Sequence, residues 1–193
     1  MLARSWDWLE GHFAVMPQIQ HGLSRAEYLR LRSPYVPEHR RIVFVLESPP
    51  KSGLYFYNSE GRVSEPLFSA MLKDIIGIKP RSKDEGLREF SARGFLLIDA
   101  TYTPINHDHL SDRERNTRIL DDLPVLVDEL RQYVGPGTGV VLVKANVCTL
   151  LEPILTARGF PVLNRGRIIP FPSNGQQGKF RMAMRQVLGM GSE

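Results

Sequence analysis

The chain has 193 residues, which suits one domain over residues 1–193, and its 42% hydrophobic and 24% charged residues are ordinary for a soluble globular protein. Its one cysteine, Cys148, excludes an internal disulfide and a cluster held by four thiolates, and we expect a buried thiol. No apolar run reaches the roughly 18 residues of a membrane span, and the N-terminus is too polar for a secretory signal, so a cytoplasmic protein is expected. The net charge of +4 indicates only a mild preference for polyanions.

Helical and extended patterns alternate along the chain. Helices are predicted over residues 2–12, 24–32, 64–76, 84–92, 111–133, 146–158 and 177–188. Strands with the apolar runs of a sheet buried on both faces are predicted over residues 41–46, 94–100, 140–143 and 161–170. This order favours an α/β fold, a three-layer α/β/α sandwich with a central, mainly parallel four-stranded sheet, to which residues 1–39 add N-terminal helices.

Local patterns mark several helix starts. Ser24 and Ser111 each precede a glutamate by three residues, which is the spacing of a capping box. Ser64 is expected to cap the helix that carries Pro66 in its first turn. A kink is expected at Pro124 in the long helix over residues 111–133, because proline has no backbone N–H to donate.

Polar residues follow the predicted strands, and ligands of open parallel sheets bind beyond the carboxyl ends of the strands. Glu47 stands directly after the first strand, and the stiff Ser48–Pro50 turn leads from it to the aromatic run Leu54–Tyr57. A lone carboxylate near aromatic rings suggests a pocket that orients a water and stacks a flat ring, such as a nucleobase. The other polar strand-end residues are Asp99, Asn106, His107, His109, Lys144, Asn146, Ser173, Asn174, Gln176 and Gln177.

Two phosphate-binding motifs are absent from the sequence. Nothing matches the P-loop pattern, and no GxGxxG follows a strand. The segment Asn106–His109 offers two histidines without further ligands at recognisable spacing, so a polar loop near phosphate is favoured over a metal site. We therefore predict neither a metal ion nor a cofactor.

Four ordered blocks between residues 41 and 188 resemble the uracil-DNA glycosylase superfamily. VLESPP is similar to the first motif of the superfamily, and Glu47 matches the glutamate of its GEAPG form. GLYF, which ends at Phe56, is similar to the GLCF run whose ring stacks on uracil. GFLLIDA is similar to the LLLN strand, with Asp99 at the position that reads the uracil edge, and the FPS that starts at Phe171 stands where the second motif has HPS.

The chain departs from the superfamily at several positions. Leu46 replaces the usual glycine, Asp99 replaces asparagine, and Phe171 replaces the histidine that stabilises the departing base. The four cysteines that bind an iron–sulfur cluster in the thermophile-type branches are missing. The resemblance therefore implies a divergent branch, with the fold and the base-flipping chemistry of the superfamily as expectations.

The resemblance assigns roles to residues after the first strand. Glu47 would orient a water and stabilise the cationic sugar, with a strand-end cap as the alternative. Phe56 would stack on the flipped base, or Tyr55 or Tyr57 would do so if the register is shifted, with ordinary core packing as the alternative. Pro50 would narrow the pocket at the place where another branch of the superfamily has a tyrosine that excludes the methyl group of thymine.

Asp99 bears on specificity. An ionised aspartate only accepts hydrogen bonds, so it would repel uracil O4 unless it is protonated or bridged by water. A raised pKa would resolve this conflict, and so would a base with N–H donors at that edge, such as a deaminated purine. We therefore expect a specificity broader than uracil, with a cap for the following loop as the alternative.

The segment after the last predicted strand is expected to complete the site. Because Phe171 cannot donate a hydrogen bond, Ser173, Asn174 or backbone N–H groups would stabilise the departing base. Further polar side chains are expected to contact DNA or to fill the gap left by the flipped base, with a solvated surface as the alternative. They are Lys51, Asn106, His107, Gln176, Gln177, Lys179 and Arg181.

The predicted function is a monofunctional DNA repair glycosylase that removes uracil or related deaminated bases by water attack. We expect a monomer that acts on DNA at the nucleoid of a bacterial-type cytoplasm. A lysine nucleophile is not expected, because Lys144 is the only strand-end candidate. Two alternatives stay open, a catalytically weak protein that binds damaged or abasic DNA, and a small-nucleoside hydrolase without salt-sensitive DNA affinity.

Overall fold

The computed structural model of the protein describes residues 22–105, 110–173 and 175–190. The helix predicted over residues 2–12 lies outside the described residues, and so do Asn106, His107, His109 and Asn174. In the part of the chain that is described, no helix is long and apolar enough to cross a membrane.

Three parallel strands form the sheet within the described residues, namely β1 (Ile42–Leu46), β2 (Phe95–Asp99) and β3 (Gly139–Leu142). Their order in the sheet is β2-β1-β3. Their residues are almost all buried, as their continuous apolar runs predict. Leu46 pairs with Asp99 and Val45 pairs with Leu142, so the strands end nearly level and the residues that follow them meet at one edge.

The prediction of a fourth strand over residues 161–170 is wrong. The segment makes one parallel bridge to β3, at Val162, and then turns, with Arg167 N–H donating to the Asn164 carbonyl at 3.0 Å. The Asn164 side chain replaces the backbone partner of β3, since it accepts from Leu142 N–H and donates to the Leu142 carbonyl, each at 3.0 Å. An asparagine amide can mimic a peptide group in this way, which is why an apolar segment here does not continue as a strand.

The helices are α1 (Arg25–Arg32), α2 (Pro66–Ser69), α3 (Lys83–Ala92), α4 (Asp112–Asp121), α5 (Leu123–Tyr133), α6 (Ala145–Ala157) and α7 (Gln177–Val187). A 3-10 turn, Ser33–Tyr35, follows α1, and a π-helical segment, Ala70–Ile76, continues α2. The predicted capping boxes at Ser24 and Ser111 are confirmed, since each serine accepts the N–H of its glutamate and each glutamate accepts the N–H of its serine.

Two helices differ from the prediction. Ser64 does not cap α2, because Glu65 occupies the cap position directly before Pro66. The long helix predicted over residues 111–133 is broken into α4 and α5 at Asp122. Pro124 lies in the first turn of α5, where helix geometry asks for no N–H donor, so proline starts a helix here rather than kinking one.

Helices flank the sheet, and the resulting α/β fold is compatible with a three-layer sandwich, with three strands instead of the predicted four in the described residues. α3 packs against β2, α6 packs against β3 and α4, and α7 packs on the π-helical segment. Cys148, in α6, is buried as predicted, and its thiol donates to the Leu142 carbonyl at 3.2 Å.

A buried ion pair ties α1 to α5. Arg32 donates to the Glu129 carboxylate and to the Tyr102 hydroxyl, the latter at 2.8 Å. The Tyr102 hydroxyl donates in turn to Glu129 at 2.9 Å, so each polar group of this cluster has a partner. The ion pair is electrostatically coupled to Asp99 at the end of β2.

Candidate functional site

A cavity of about 440 Å³ opens where the strands end. The turn Ser48–Pro50, the segment Leu54–Phe56 and the start of α2 form its walls. Residues from four distant parts of the chain also line it, namely Glu47, Asp99, Lys144, Phe171 and Ser173. The edge that the sequence predicted to carry chemistry therefore encloses a cavity of the size that small ligands occupy.

The Glu47 carboxylate is held at both oxygens. Lys144 donates to Oε2, and the side-chain amide of Asn146 donates to Oε1 at 2.7 Å. Only 5% of the Glu47 side chain is exposed, compared with 29% of the Lys144 side chain. Since both donors lie at the junction of β3 and α6, the pairing of β1 with β3 brings them to Glu47, and the carboxylate keeps one orientation at the cavity wall.

Lys144 adopts a backbone conformation that favours glycine, with φ 88° and ψ 138°. No other non-glycine residue in the described ranges has a positive φ. The Lys144 N–H donates to the Ile169 carbonyl at 2.8 Å, and the Lys144 carbonyl accepts from Cys148 N–H at 2.9 Å. These two bonds hold a strained residue at the start of α6, directly beside the carboxylate that it contacts.

Asp99 ends β2 at the cavity, and only 3% of the residue is exposed. Burial raises the pKa of Asp99 to about 8, while the Arg32 guanidinium acts to lower that pKa and Glu129 acts to raise it. Asp99 Oδ2 has no hydrogen-bond partner among the described residues. At neutral pH the side chain is therefore mostly protonated, and it offers one O–H donor and one carbonyl acceptor.

The aromatic run supplies both a cavity wall and part of the core. Phe56 lines the cavity and packs against Phe68 and Phe90, with ring centroids 5.7 Å and 5.0 Å away. Tyr57 does not line the cavity, since it is fully buried and its hydroxyl accepts from Leu97 N–H at 2.8 Å. Of the two rings, Phe56 alone borders the cavity, with only 4% of the residue exposed, and Tyr57 completes the edge of β2.

A buried lysine fixes the backbone of the aromatic run. Lys83 Nζ donates to the Tyr55 carbonyl at 2.7 Å and to the Glu65 carboxylate at 2.6 Å. Glu65 also accepts from Arg62 N–H at 2.8 Å. A side chain at Gly61 would clash with both members of the Lys83–Glu65 pair, so this position requires glycine. This cluster therefore anchors the backbone of the cavity wall.

Residues of the last loop border the cavity on another side. Phe171 is half-buried and brings a ring without a hydrogen-bond donor, whereas Ser173 is exposed. Ser173 N–H donates to the Phe171 carbonyl at 2.8 Å, and the Ser173 carbonyl accepts from Gln176 N–H at 2.9 Å. Pro50 also lines the cavity, as part of the turn after Glu47.

None of the described residues predicted to contact DNA lines this cavity. Gln177 and Arg181 line a second cavity of about 430 Å³. Pro66 borders both cavities, so the second lies directly beside the first. Lys51 and Lys179 are exposed and line neither cavity.

Four side chains that hold the site received no role from the sequence. Lys144 and Asn146 stood out only as strand-end residues, and their separations from Glu47, 97 and 99 residues, leave no local pattern to read. Lys83 and Glu65 lie at helix starts, where charged residues are normally solvated, so nothing in the sequence indicated their burial.

Among residues 22–105, 110–173 and 175–190, no group of three or more histidine, cysteine, aspartate or glutamate side chains could hold a metal ion. No protein-family model, curated protein or solved structure matches the chain. The geometry of the cavity is therefore the basis for assigning a function.

Proposed function

We propose that the protein is a DNA glycosylase of a uracil-DNA glycosylase-like fold, which hydrolyses the N-glycosidic bond of uracil or related deaminated bases. The observation that carries this proposal is the buried Glu47 carboxylate, fixed at both oxygens in a strand-end cavity whose other walls include the Phe56 ring and Asp99. Base excision requires a carboxylate that activates water, a flat apolar surface that stacks on the base, and a polar side chain that forms hydrogen bonds with the edge of the base.

Glu47 acts on the sugar side of the bond. As the bond breaks, positive charge develops on the sugar, and a fixed carboxylate stabilises this charge without reorganising. The same carboxylate orients the water that adds to C1′ and accepts a proton from it. Lys144 and Asn146 keep the carboxylate in place throughout, because they engage both of its oxygens.

Asp99 supports a preference for bases with a lactam edge. Burial raises the pKa of Asp99 to about 8, so at neutral pH the side chain carries a donor and an acceptor, as the asparagine amide of the superfamily does. Uracil, hypoxanthine and xanthine all present a carbonyl beside an N–H, which matches this pair. Excision is therefore expected to extend from uracil to deaminated purines.

DNA is the proposed partner, and a monomer is the proposed acting form, with the nucleoid as the place of action. The second cavity lies beside the first and is lined by Lys73, Arg181 and Asp74, so its cations outnumber its acidic residue, which favours a phosphate of the strand that carries the flipped base. Gln176 and Gln177 lie at the start of α7, and their proposed role is to fill the gap that the flipped base leaves in the stack.

An oligonucleotide cleavage panel tests this proposal. Duplexes with uracil, hypoxanthine or xanthine at one position are incubated with the protein and treated with alkali, which cleaves at abasic sites. Wild type is expected to produce alkali-labile strands, and Glu47→Gln is expected to lose about 10²–10⁴-fold in rate. Glu38→Gln, at an exposed glutamate away from the cavity, is the matched control and should retain the rate. Equal rates for wild type and Glu47→Gln would contradict the proposal.

A second candidate is a catalytically weak protein that binds abasic or damaged DNA. Phe171 favours it, because the ring brings no hydrogen-bond donor to the cavity. This candidate predicts tight, salt-sensitive binding of abasic duplexes by wild type and Glu47→Gln alike, with no turnover by either. The remaining alternative, a nucleoside hydrolase, would turn over free nucleosides and would show no salt-sensitive affinity for DNA. Mobility-shift titrations at several salt concentrations distinguish this hydrolase from the DNA-binding protein.

A further inference from the structure

Lys144 is the only cation among the described residues that line the main cavity. Of the acidic residues there, Glu65 is neutralised by Lys83, Asp99 is mostly protonated at neutral pH, and Glu47 pairs with Lys144. A base that leaves with the bonding electrons is an anion, so a cation that faces it favours its departure.

The ammonium of Lys144 has capacity beyond its ion pair. An ammonium carries three N–H donors, and within the described residues Glu47 is the acceptor that it contacts. The Lys144 side chain lines the cavity and is more exposed to solvent than that of Glu47, with 29% against 5%. Lys144 can therefore hold Glu47 with one donor and offer the others to a ligand.

The backbone conformation of Lys144 disfavours any side chain at this position. At φ 88° and ψ 138° a non-glycine residue costs about 1–3 kcal/mol. Its N–H and carbonyl bonds to Ile169 and Cys148 involve only backbone atoms of Lys144, so glycine would keep them and remove the strain. What glycine would lose is the ammonium, and with it the ion pair to Glu47.

We propose that Lys144 is a catalytic cation, whose ammonium stabilises the negative charge on the departing base in place of the histidine that Phe171 replaces. The inference rests on the glycosylase function proposed above. The C1′–N bond breaks with both electrons going to the base, and water supplies the oxygen that bonds to C1′. The released water proton passes to Glu47 and then to solvent, and the base anion takes up a proton from solvent.

The effect of a Lys144 substitution on the excision rate should depend on the base that leaves if Lys144 is a catalytic cation. It should be the same for all bases if Lys144 only holds Glu47 in place. The single-turnover excision rate is measured for the base of the panel that wild type removes fastest and for a more acidic analogue of that base at the same position in the duplex. If the base is uracil, the analogue is 5-fluorouracil. The fluorine withdraws electrons, so the 5-fluorouracil anion needs less help from the protein. Lys144→Met should lose about 10²–10³-fold on uracil and much less on 5-fluorouracil. Lys144→Arg should retain most of the rate on both, because it keeps the positive charge.

Lys144→Gly removes the ammonium and also relieves the backbone strain. This variant replaces Lys144→Met in the same comparison if Lys144→Met does not fold. Lys79→Met, an exposed lysine away from both cavities, is the matched control and should behave as wild type on both bases. If wild type is active and the Lys144 variants lose the same factor on both bases, or lose nothing, Lys144 is not the catalytic cation and the glycosylase function stands. If wild type excises no base, the proposed function fails and the role of Lys144 falls with it.

Discussion

Replacing Asp99 with asparagine should change how the stability of the protein depends on pH. Burial raises the pKa of Asp99 to about 8 in the folded protein, from an ordinary value of 3.8. Between these values the unfolded chain releases a proton that the folded protein keeps, so stability falls as pH rises. Each pH unit in this window is worth about 1.4 kcal/mol, and the whole window is worth on the order of 5 kcal/mol. Below pH 3.8 both states are protonated, and above pH 8 both are ionised.

Groups on several neighbouring elements act on this carboxyl. Arg32, on α1, lowers the pKa of Asp99, and Glu129, on α5, raises it, although burial is the largest influence. Burial also keeps the pKa of Tyr55 and the pKa of Tyr102 above their usual range, so both hydroxyls stay neutral throughout the window. Asparagine has the shape of aspartate and does not titrate, so the difference between the two stability curves reports on Asp99 alone.

Urea unfolding followed by far-ultraviolet circular dichroism measures both curves. From about pH 5 to pH 8, the unfolding free energy of wild type is expected to fall by about 4 kcal/mol relative to that of Asp99→Asn. The matched control is Asp128→Asn, at an exposed aspartate of α5, which should follow the wild-type curve. Parallel curves for wild type and Asp99→Asn would refute the reasoning, because they would mean that Asp99 ionises equally in both states.

Three further changes test the contacts that shape the site. Lys144→Gly should unfold in urea with a free energy about 1–3 kcal/mol higher than Lys144→Ala, because both variants lose the ion pair with Glu47 and only glycine relieves the positive φ, and equal values would contradict the strain. Arg32→Met should cost about 3–5 kcal/mol in thermal unfolding by leaving Glu129 buried without its partner, and a double variant with Glu129→Leu should recover most of this loss. Asn164→Ala should cost about 1–3 kcal/mol, because both backbone groups of Leu142 lose a partner, and a loss below the error of the measurement would show that water replaces the amide.

Much of the secondary structure is readable from local sequence because its causes are local. The capping boxes at Ser24 and Ser111 involve residues three apart, so their patterns predict the starts of α1 and α4 directly. The apolar runs of β1, β2 and β3 likewise predict buried parallel strands. The break at Asp122 was missed because a proline in a long helical pattern is compatible with a kink and with a new start, and packing selects between them.

Local sequence patterns are enough to show that a carboxylate follows a buried strand, that Phe56 comes soon after it, and that Asp99 ends a second strand. The contacts of these residues, in contrast, depend on how the chain folds. Strand order brought Lys144 onto Glu47, and the Asn164 side chain closed the sheet at three strands in the described residues. Burial, rather than residue type, raised the pKa of Asp99. The physical reason is that pairing, desolvation and charge contacts depend on residues far apart in the chain, which meet only when the sheet forms.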